Sequence, residues 1–403
     1  MFRSFRYRNY RLFFIGQGTS LIGTMMQATA MSWLIYRLTK SAFFLGLFGF
    51  LVQLPVVVFT PLAGVLADRL ERRRVIIITQ ILAMAQAVVL TALVFLHVAS
   101  IQSISLLAIA LGVVNAFEMP MRQAFVNEMI EQKDDIGNAI ALNSSLFNGA
   151  RLIGPSLAGL LVAAVGEGWC FLINAVSYLA AIASLAAMRT RPRQFAVHHP
   201  HVLAGMKEGL LYAWRNTSIR AILLLVALSS FAGMSFGALM PIFAATVFKG
   251  GPRTLGFLGS AVGIGALLGA VYLASKKNPV RFGLILPAAA ALFGAGLTAF
   301  SLTRIFWLAL VFLAIGGFGM MTQMAASNTL LQTMADDDKR GRVMGAHVFA
   351  FVGLSTFGSL AAGSLAQHIG APLTVRLGGA CCLIGAAVFA ARLPRLRTVT
   401  KAS

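Results

Sequence analysis

Twelve stretches of about twenty or more mostly apolar residues, each nearly free of charge, run through this sequence at about 11–36, 43–67, 75–96, 102–127, 138–164, 169–188, 219–248, 254–275, 282–302, 305–330, 342–367 and 372–392. About 20 such residues are what a helix needs to cross the hydrocarbon core of a bilayer. The stretches are too long for membrane strands, and only helices and closed barrels satisfy their own backbone in lipid. The expected class is therefore an all-α integral membrane protein with 12 transmembrane helices. Composition agrees: the 403 residues are 58% hydrophobic and only 11% charged, against roughly 25% charged in a soluble domain. A water-soluble enzyme is excluded. A polar stretch, RTRPRQFAVHHPH at 189–201, separates the first six spans from the last six. The expected organisation is a six-helix bundle over 1–188, a linker over 189–218 and a second six-helix bundle over 219–403.

The net charge of +21 would suggest nucleic acid if the basic residues formed a patch. They are instead distributed by loop. Arg37, Lys40, Lys249, Arg253, Arg304 and Arg376 fall on one side of the predicted membrane, and Arg151 lies inside a span. All other Lys and Arg lie on the side of the two tails and the central linker. Basic residues gather in cytoplasmic loops, so both termini and the linker are expected in the cytoplasm, and no nucleic-acid partner is expected. The basic N-terminal MFRSFRYRNYR leads into an apolar run without a small-residue cleavage site, which reads as the first span.

The two halves look like a repeat. GPSLAGLLV at Gly154 has a counterpart in GSLAAGSLA at Gly358, and Gly112 and Gly316 are separated by the same offset. Duplicated transporters carry weak similarity of this kind. In the linker, Leu203, Met206, Leu210 and Trp214 recur at helical spacing and predict a short amphipathic helix lying at the interface. His198, His199 and His201 read as a solvated loop. Cys170, Cys381 and Cys382 have no metal-ligand spacing and read as small buried hydrophobes. No metal or other cofactor is expected.

Three patterns carry more specific information. GVLADRLERRR at 64–74 resembles the signature loop of the major facilitator superfamily, matching it at Gly64, Asp68, Arg69, Arg72 and Arg73 and departing from it at Glu71. Gly64 would allow close helix approach. A carboxylate and guanidiniums at a helix end can form a bidentate, breakable latch. The resemblance implies a cytoplasmic gate that Glu128 would complete. GARLIGPSLAG at 149–159 is similar to the superfamily's antiporter motif at Gly154, Pro155 and Gly159, which implies a smooth face between helices 5 and 8. The superfamily's helix-4 arginine is replaced by Ala108. Finally, NYRLFFIGQGTSLIGT, WLIYRLTKSAFFLG, NAFEMPMRQAFVNE, NAIALNSSLFNGARLIGP and FLINAVSYL together resemble the bacterial siderophore exporters of the enterobactin-exporter type and their multidrug-like relatives.

Span 4 holds the chemistry that the residues themselves suggest. A charge at membrane depth costs roughly 2.5–3.5 kcal/mol on insertion scales, so it is paired or functional. Arg122 follows Glu118 by one helical turn, beside Pro120. With span 4 ending near Glu128 and span 5 entering near Gly137, Glu118 and Arg151 differ in height by only about 6 Å. That arithmetic predicts Glu118 between two arginines, as either a structural salt bridge or a proton or substrate switch. Gln17, Gln27, Asn115 and Gln323 are the polar residues in helices expected to face a central cavity, and Phe231, Phe236, Met240 and Phe243 could line it.

The expectation is a major facilitator fold that exports an amphiphilic small molecule, such as a siderophore or drug, across the bacterial inner membrane by proton antiport. The small molecule, protons and lipid are the partners it implies; the oligomeric state is not legible. A lysophospholipid flippase of the same fold is the alternative, and a membrane enzyme or sensor a remote one. His347 is the next proton carrier should Glu118 fail.

Overall fold

The computed structural model describes residues 3–66, 70–126, 128–189, 211–276, 282–337 and 339–401. Twelve long helices follow one another: α1 (Arg8–Thr39), α2 (Ala42–Leu66), α3 (Arg72–Phe95), α4 (Ile101–Val126), α5 (Lys133–Val165), α6 (Glu167–Ala186), α7 (Thr217–Val247), α8 (Pro252–Ala274), α9 (Phe282–Leu302), α10 (Phe306–Met334), α11 (Arg340–Ile369) and α12 (Ala371–Lys401). No strand occurs among the described residues. Eleven of the helices are long and apolar enough to cross a membrane by length and composition. The exception is α1. Its 32 residues reach about 48 Å, but Gln17, Ser20, Thr24 and Gln27 recur every three or four residues and dilute its apolar character.

Two helices depart from α geometry. In α7 the backbone passes through π turns at Ser229–Gly233 and Phe243–Val247, and in α11 through one at Phe349–Gly353. A single residue joins α5 to α6 and another joins α11 to α12. These are Gly166 (φ 93°) and Gly370 (φ 85°), in the left-handed region that glycine enters without steric cost. They are related by the same offset as Gly154 and Gly358, so the repeat seen in the sequence returns in the backbone.

The helices form two compact units: residues 1–39, 51–200 and 250–260 make unit 1, and residues 40–50, 201–249 and 261–403 make unit 2. In unit 1, α1 packs along α5 and α6, and α3 along α4 and α6. A cluster of Tyr10, Phe13, Ile76, Met121 and Phe125 closes the end that holds the start of α1 and the end of α6. Arg8 donates to the Ala187 carbonyl at 3.2 Å and Asn9 to that of Arg189 at 2.9 Å, so this basic end is tied across the unit. In unit 2, α9 packs along α10 and α12 around Leu225, Leu286, Val343 and Phe389. Apolar side chains also cover the outside: Ile15 and Leu106 are 68% exposed and Trp307 75%. Such surfaces are costly in water and ordinary against lipid.

The predicted interfacial helix lies mostly outside the described residues, as do His198, His199 and His201. Trp214, which is described, is exposed, with the Arg220 guanidinium 5.7 Å from its ring centroid.

Candidate functional site

Glu118 is buried in unit 1, eight residues and so about 12 Å from the Val126 end of α4. Arg122 Nε lies 3.5 Å from its Oε1, one turn further along the helix. Gln80 of α3 donates its side-chain amide to the same oxygen at 3.4 Å, and Ser20 of α1 donates to Gln80 at 3.5 Å. Arg122 also donates to the Gln17 carbonyl oxygen at 3.4 Å, while the Gln17 amide nitrogen is buried without a partner. Every link in this ring sits at the long end of hydrogen-bond distance. It is a loosely held carboxylate, not a locked ion pair. Pro120, between the two charges, has no N–H to give the helix and removes one rung of its ladder.

A second, tighter knot adjoins it along α1. Gln27 donates to Gln86 of α3 at 3.0 Å, Asn174 of α6 donates to Gln27 at 2.8 Å, and Ser177 donates to Asn174 Oδ1 at 3.1 Å. The polar stripe of α1 thus meets amides from α3 and α6. Gln80, Gln86 and Asn174 were not singled out in the sequence. Their signal was there: each is an amide in the middle of an apolar span.

Arg151 does not join this network. Helix α5 begins at Lys133, a turn earlier than expected. The contacts of the Glu118 carboxylate are Arg122 and Gln80, so the expected pair of arginines around it is corrected to Arg122 alone. Arg151 makes no hydrogen bond, ion pair or ring contact among the described residues.

At the basic end of unit 1, Arg72 Nη1 lies 2.9 Å from Glu128 Oε1 and also donates to the Ala124 carbonyl at 3.3 Å. Arg73 caps the end of α6, donating to the carbonyls of Leu185 and Ala186 at 2.8 Å each. Nearby, Arg6 pairs with Asp135 at 2.5 Å, and Tyr7 donates to the same carboxylate at 3.0 Å. Asp68 and Arg69 lie outside the described residues. Gly64 needs correction: among the described residues no atom comes within 4 Å of where its Cβ would stand, so it makes no close helix approach there.

The small residues of α5 do pack closely, within unit 1. A Cβ on Gly154 would meet Met25 of α1 at 2.4 Å, and one on Gly159 would meet the Gly256 backbone of α8 at 2.9 Å. Pro155 lies against Gly259.

The buried polar residues of unit 2 include no acid among the described residues. Gln323 of α10 donates to Ser229 at 2.9 Å, and Ser327 shares a 2.9 Å hydrogen bond with His347 Nε2. Ser229, Ser230, Met234, Phe293, Met320 and Gln323 border a cavity of about 10 Å³, room for a single water. Phe236 and Met240 are buried and do not border it; Phe236 packs edge-on against Phe293 with centroids 6.3 Å apart. Asn115 of α4 is half-buried and makes no hydrogen bond among the described residues.

The profile of the family described as transmembrane secretion effector, a branch of the major facilitators, matches residues 1–403. The chain belongs to this family. It is 28% identical over 396 residues to the multidrug efflux pump Tap of Mycolicibacterium fortuitum, covering 96% of this chain and 95% of that one. It is 24% identical over 339 residues to the enterobactin exporter EntS of Escherichia coli O1:K1 / APEC, covering 83% and 80%. The fold is that of the solved bacterial homologue of the human lysosomal transporter Spinster, with a TM-score of 0.75, 16% identity and 98% of each chain covered. This secretion-effector family member is a multi-pass membrane transporter of the efflux type, and it acts on small molecules.

Proposed function

We propose that the chain exports an amphiphilic small molecule from the cytoplasm in exchange for protons, with Glu118 carrying the proton and Arg122 answering its charge. The loosely held Glu118 supports this reading. Among the described residues it is the one acid placed well inside a membrane span; Asp134, Asp135 and Glu167 sit at helix starts. A carboxylate in a span is costly. Ionised, it draws Arg122 and Gln80 towards it; protonated, it releases Arg122 to other acceptors. A group whose two protonation states favour different side-chain arrangements can bias a two-state carrier. Arg72 and Glu128 would then latch the cytoplasmic end of unit 1 during the cycle, with Gly154, Pro155 and Gly159 giving α5 its close-packed faces.

Reconstituted in proteoliposomes, Glu118→Gln should lose export driven by a pH gradient while keeping energy-independent exchange. A mutant that still pumps with the gradient rejects the proton role. If the residue is only half of a structural bridge, the mutant should instead melt lower, and Arg122→Gln added to it should restore the melting temperature.

The same reading places the chain in the bacterial inner membrane with both termini in the cytoplasm, as the distribution of Lys and Arg suggests. A cysteine introduced at Gly251 should label from outside intact cells, and one at Thr398 should not. Labelling at Thr398 would invert the topology.

One observation favours the lipid flippase as a second reading. An apolar groove of about 840 Å³ runs along α1, α5 and α6 of unit 1, bordered by Ile15, Gly18, Ile22, Leu157, Leu160 and Ile173. It is wide enough for an acyl chain. Transbilayer movement of a fluorescent lysophospholipid that a bulky Gly18→Phe side chain blocks would favour this reading over export of soluble cargo.

A further inference from the structure

Among the described residues, Arg151 is the one charged side chain well inside unit 1 that the mechanism above leaves idle. It stands 14 residues, about 21 Å, from the Val165 end of α5, which places it inside a hydrocarbon core about 30 Å thick. The backbone around it is fixed. Ser260 of α8 donates to the Leu152 carbonyl at 2.6 Å, and Gly154 is pressed against Met25 of α1. Asn148, one turn away, spends its amide on the Ser144 carbonyl at 2.9 Å. Glu118 is held by Arg122 and Gln80. Among the described residues nothing accepts a hydrogen bond from the Arg151 guanidinium, and the residue is only partly buried.

A guanidinium in this position has five donors in a planar fork and no acceptor. Its natural complement is a carboxylate or comparable oxyanion, held bidentately. Arg122 is less suited to the task because Glu118 and Gln17 already occupy it. We propose that Arg151 is the anchor for a carboxylate-type anionic group on the transported molecule, so that this carrier selects anionic amphiphiles over neutral and cationic ones. The proposal rests on the export reading and narrows its substrate class. A cationic amphiphile meets like charge at Arg151 where the dielectric is low, and a neutral one leaves the guanidinium unanswered.

Two measurements on the full-length protein test it. The first needs no ligand. Arg151→Met keeps the length and apolar stem but removes the unpaired charge, so the melting temperature in detergent should hold or rise. A fall of several degrees would show that the guanidinium serves the fold, and would overturn the proposal. The second uses 11-(dansylamino)undecanoic acid and its primary amide, which differ only in the charged head, in equilibrium binding without any gradient. The wild type should bind the acid at least tenfold more tightly than the amide. Arg151→Met should erase that preference while leaving amide binding in place, and Arg151→Lys should keep part of it. Equal binding of acid and amide by the wild type, or a preference that survives in Arg151→Met, overturns it. Neither readout depends on proton coupling, so failure here is separable from the result with Glu118→Gln.

Discussion

The two units bury polarity in different ways. In unit 1 it is carried by side chains: amides, a carboxylate and a guanidinium from α1, α3, α4 and α6 are linked into adjoining networks, and no π turn interrupts a described helix. In unit 2 the pairs Gln323–Ser229 and Ser327–His347 carry no acid, and the irregularity lies in the backbone, at three π turns in α7 and α11. A π turn forgoes regular i to i−4 bonds and is frequent at functional sites. In lipid the carbonyls it frees must find partners within the protein. Ser229, inside one such turn, also borders the water-sized cavity. The difference suggests a division of labour, with charge handled in unit 1 and helix bending in unit 2.

The sharpest way to break that division is to compare buried ionisable groups. Glu118→Gln should reduce gradient-driven export to background, while His347→Gln should leave coupling intact. Lost coupling in the His347 mutant would move the proton to unit 2. Next in size is the basic end. Arg72→Glu should cut transport several-fold without loss of membrane insertion, and Glu128→Arg added to it should restore much of that. Failure of the charge swap to rescue would reduce the 2.9 Å pair to a topology signal.

How far the sequence foretold this contrast depended on the kind of information required. The spans were legible because hydropathy is a local property, and even α1, the least apolar, kept its place through length and order. Partner choice was not. Glu118 and Arg122 could be read as a pair because one helix fixes their spacing. Arg151 could not be placed against Glu118, because that needed the height and rotation of one helix relative to another, which spacing within a single helix does not fix. Gln86 and Asn174 escaped for a related reason: an amide in an apolar span announces a partner without saying on which helix it lies. Gly64 shows the converse, a small residue matching a familiar pattern with open space beside it.

Smaller effects sharpen the comparison further. Gln27→Leu strands Asn174 and the Gln86 carbonyl oxygen, and should cost about 1–2 kcal/mol of stability, seen as a lower melting temperature with coupling retained. Ser229→Ala removes only neutral hydrogen bonds, each worth about 0.6 kcal/mol on the membrane scale. It should barely move the melting temperature, and a large loss of transport in a stable Ser229→Ala protein would mark that π turn as a working hinge.

The one-residue connections at Gly166 and Gly370 bear on how the chain enters its membrane. Between α5 and α6, and again between α11 and α12, there is no hydrophilic segment for the insertion machinery to move across the bilayer by itself. Each pair is expected to go in as a preformed helical hairpin, its two arms partitioning into lipid together. Synthesis halted after α5 or α11 should therefore leave that helix poorly inserted until its successor emerges from the ribosome.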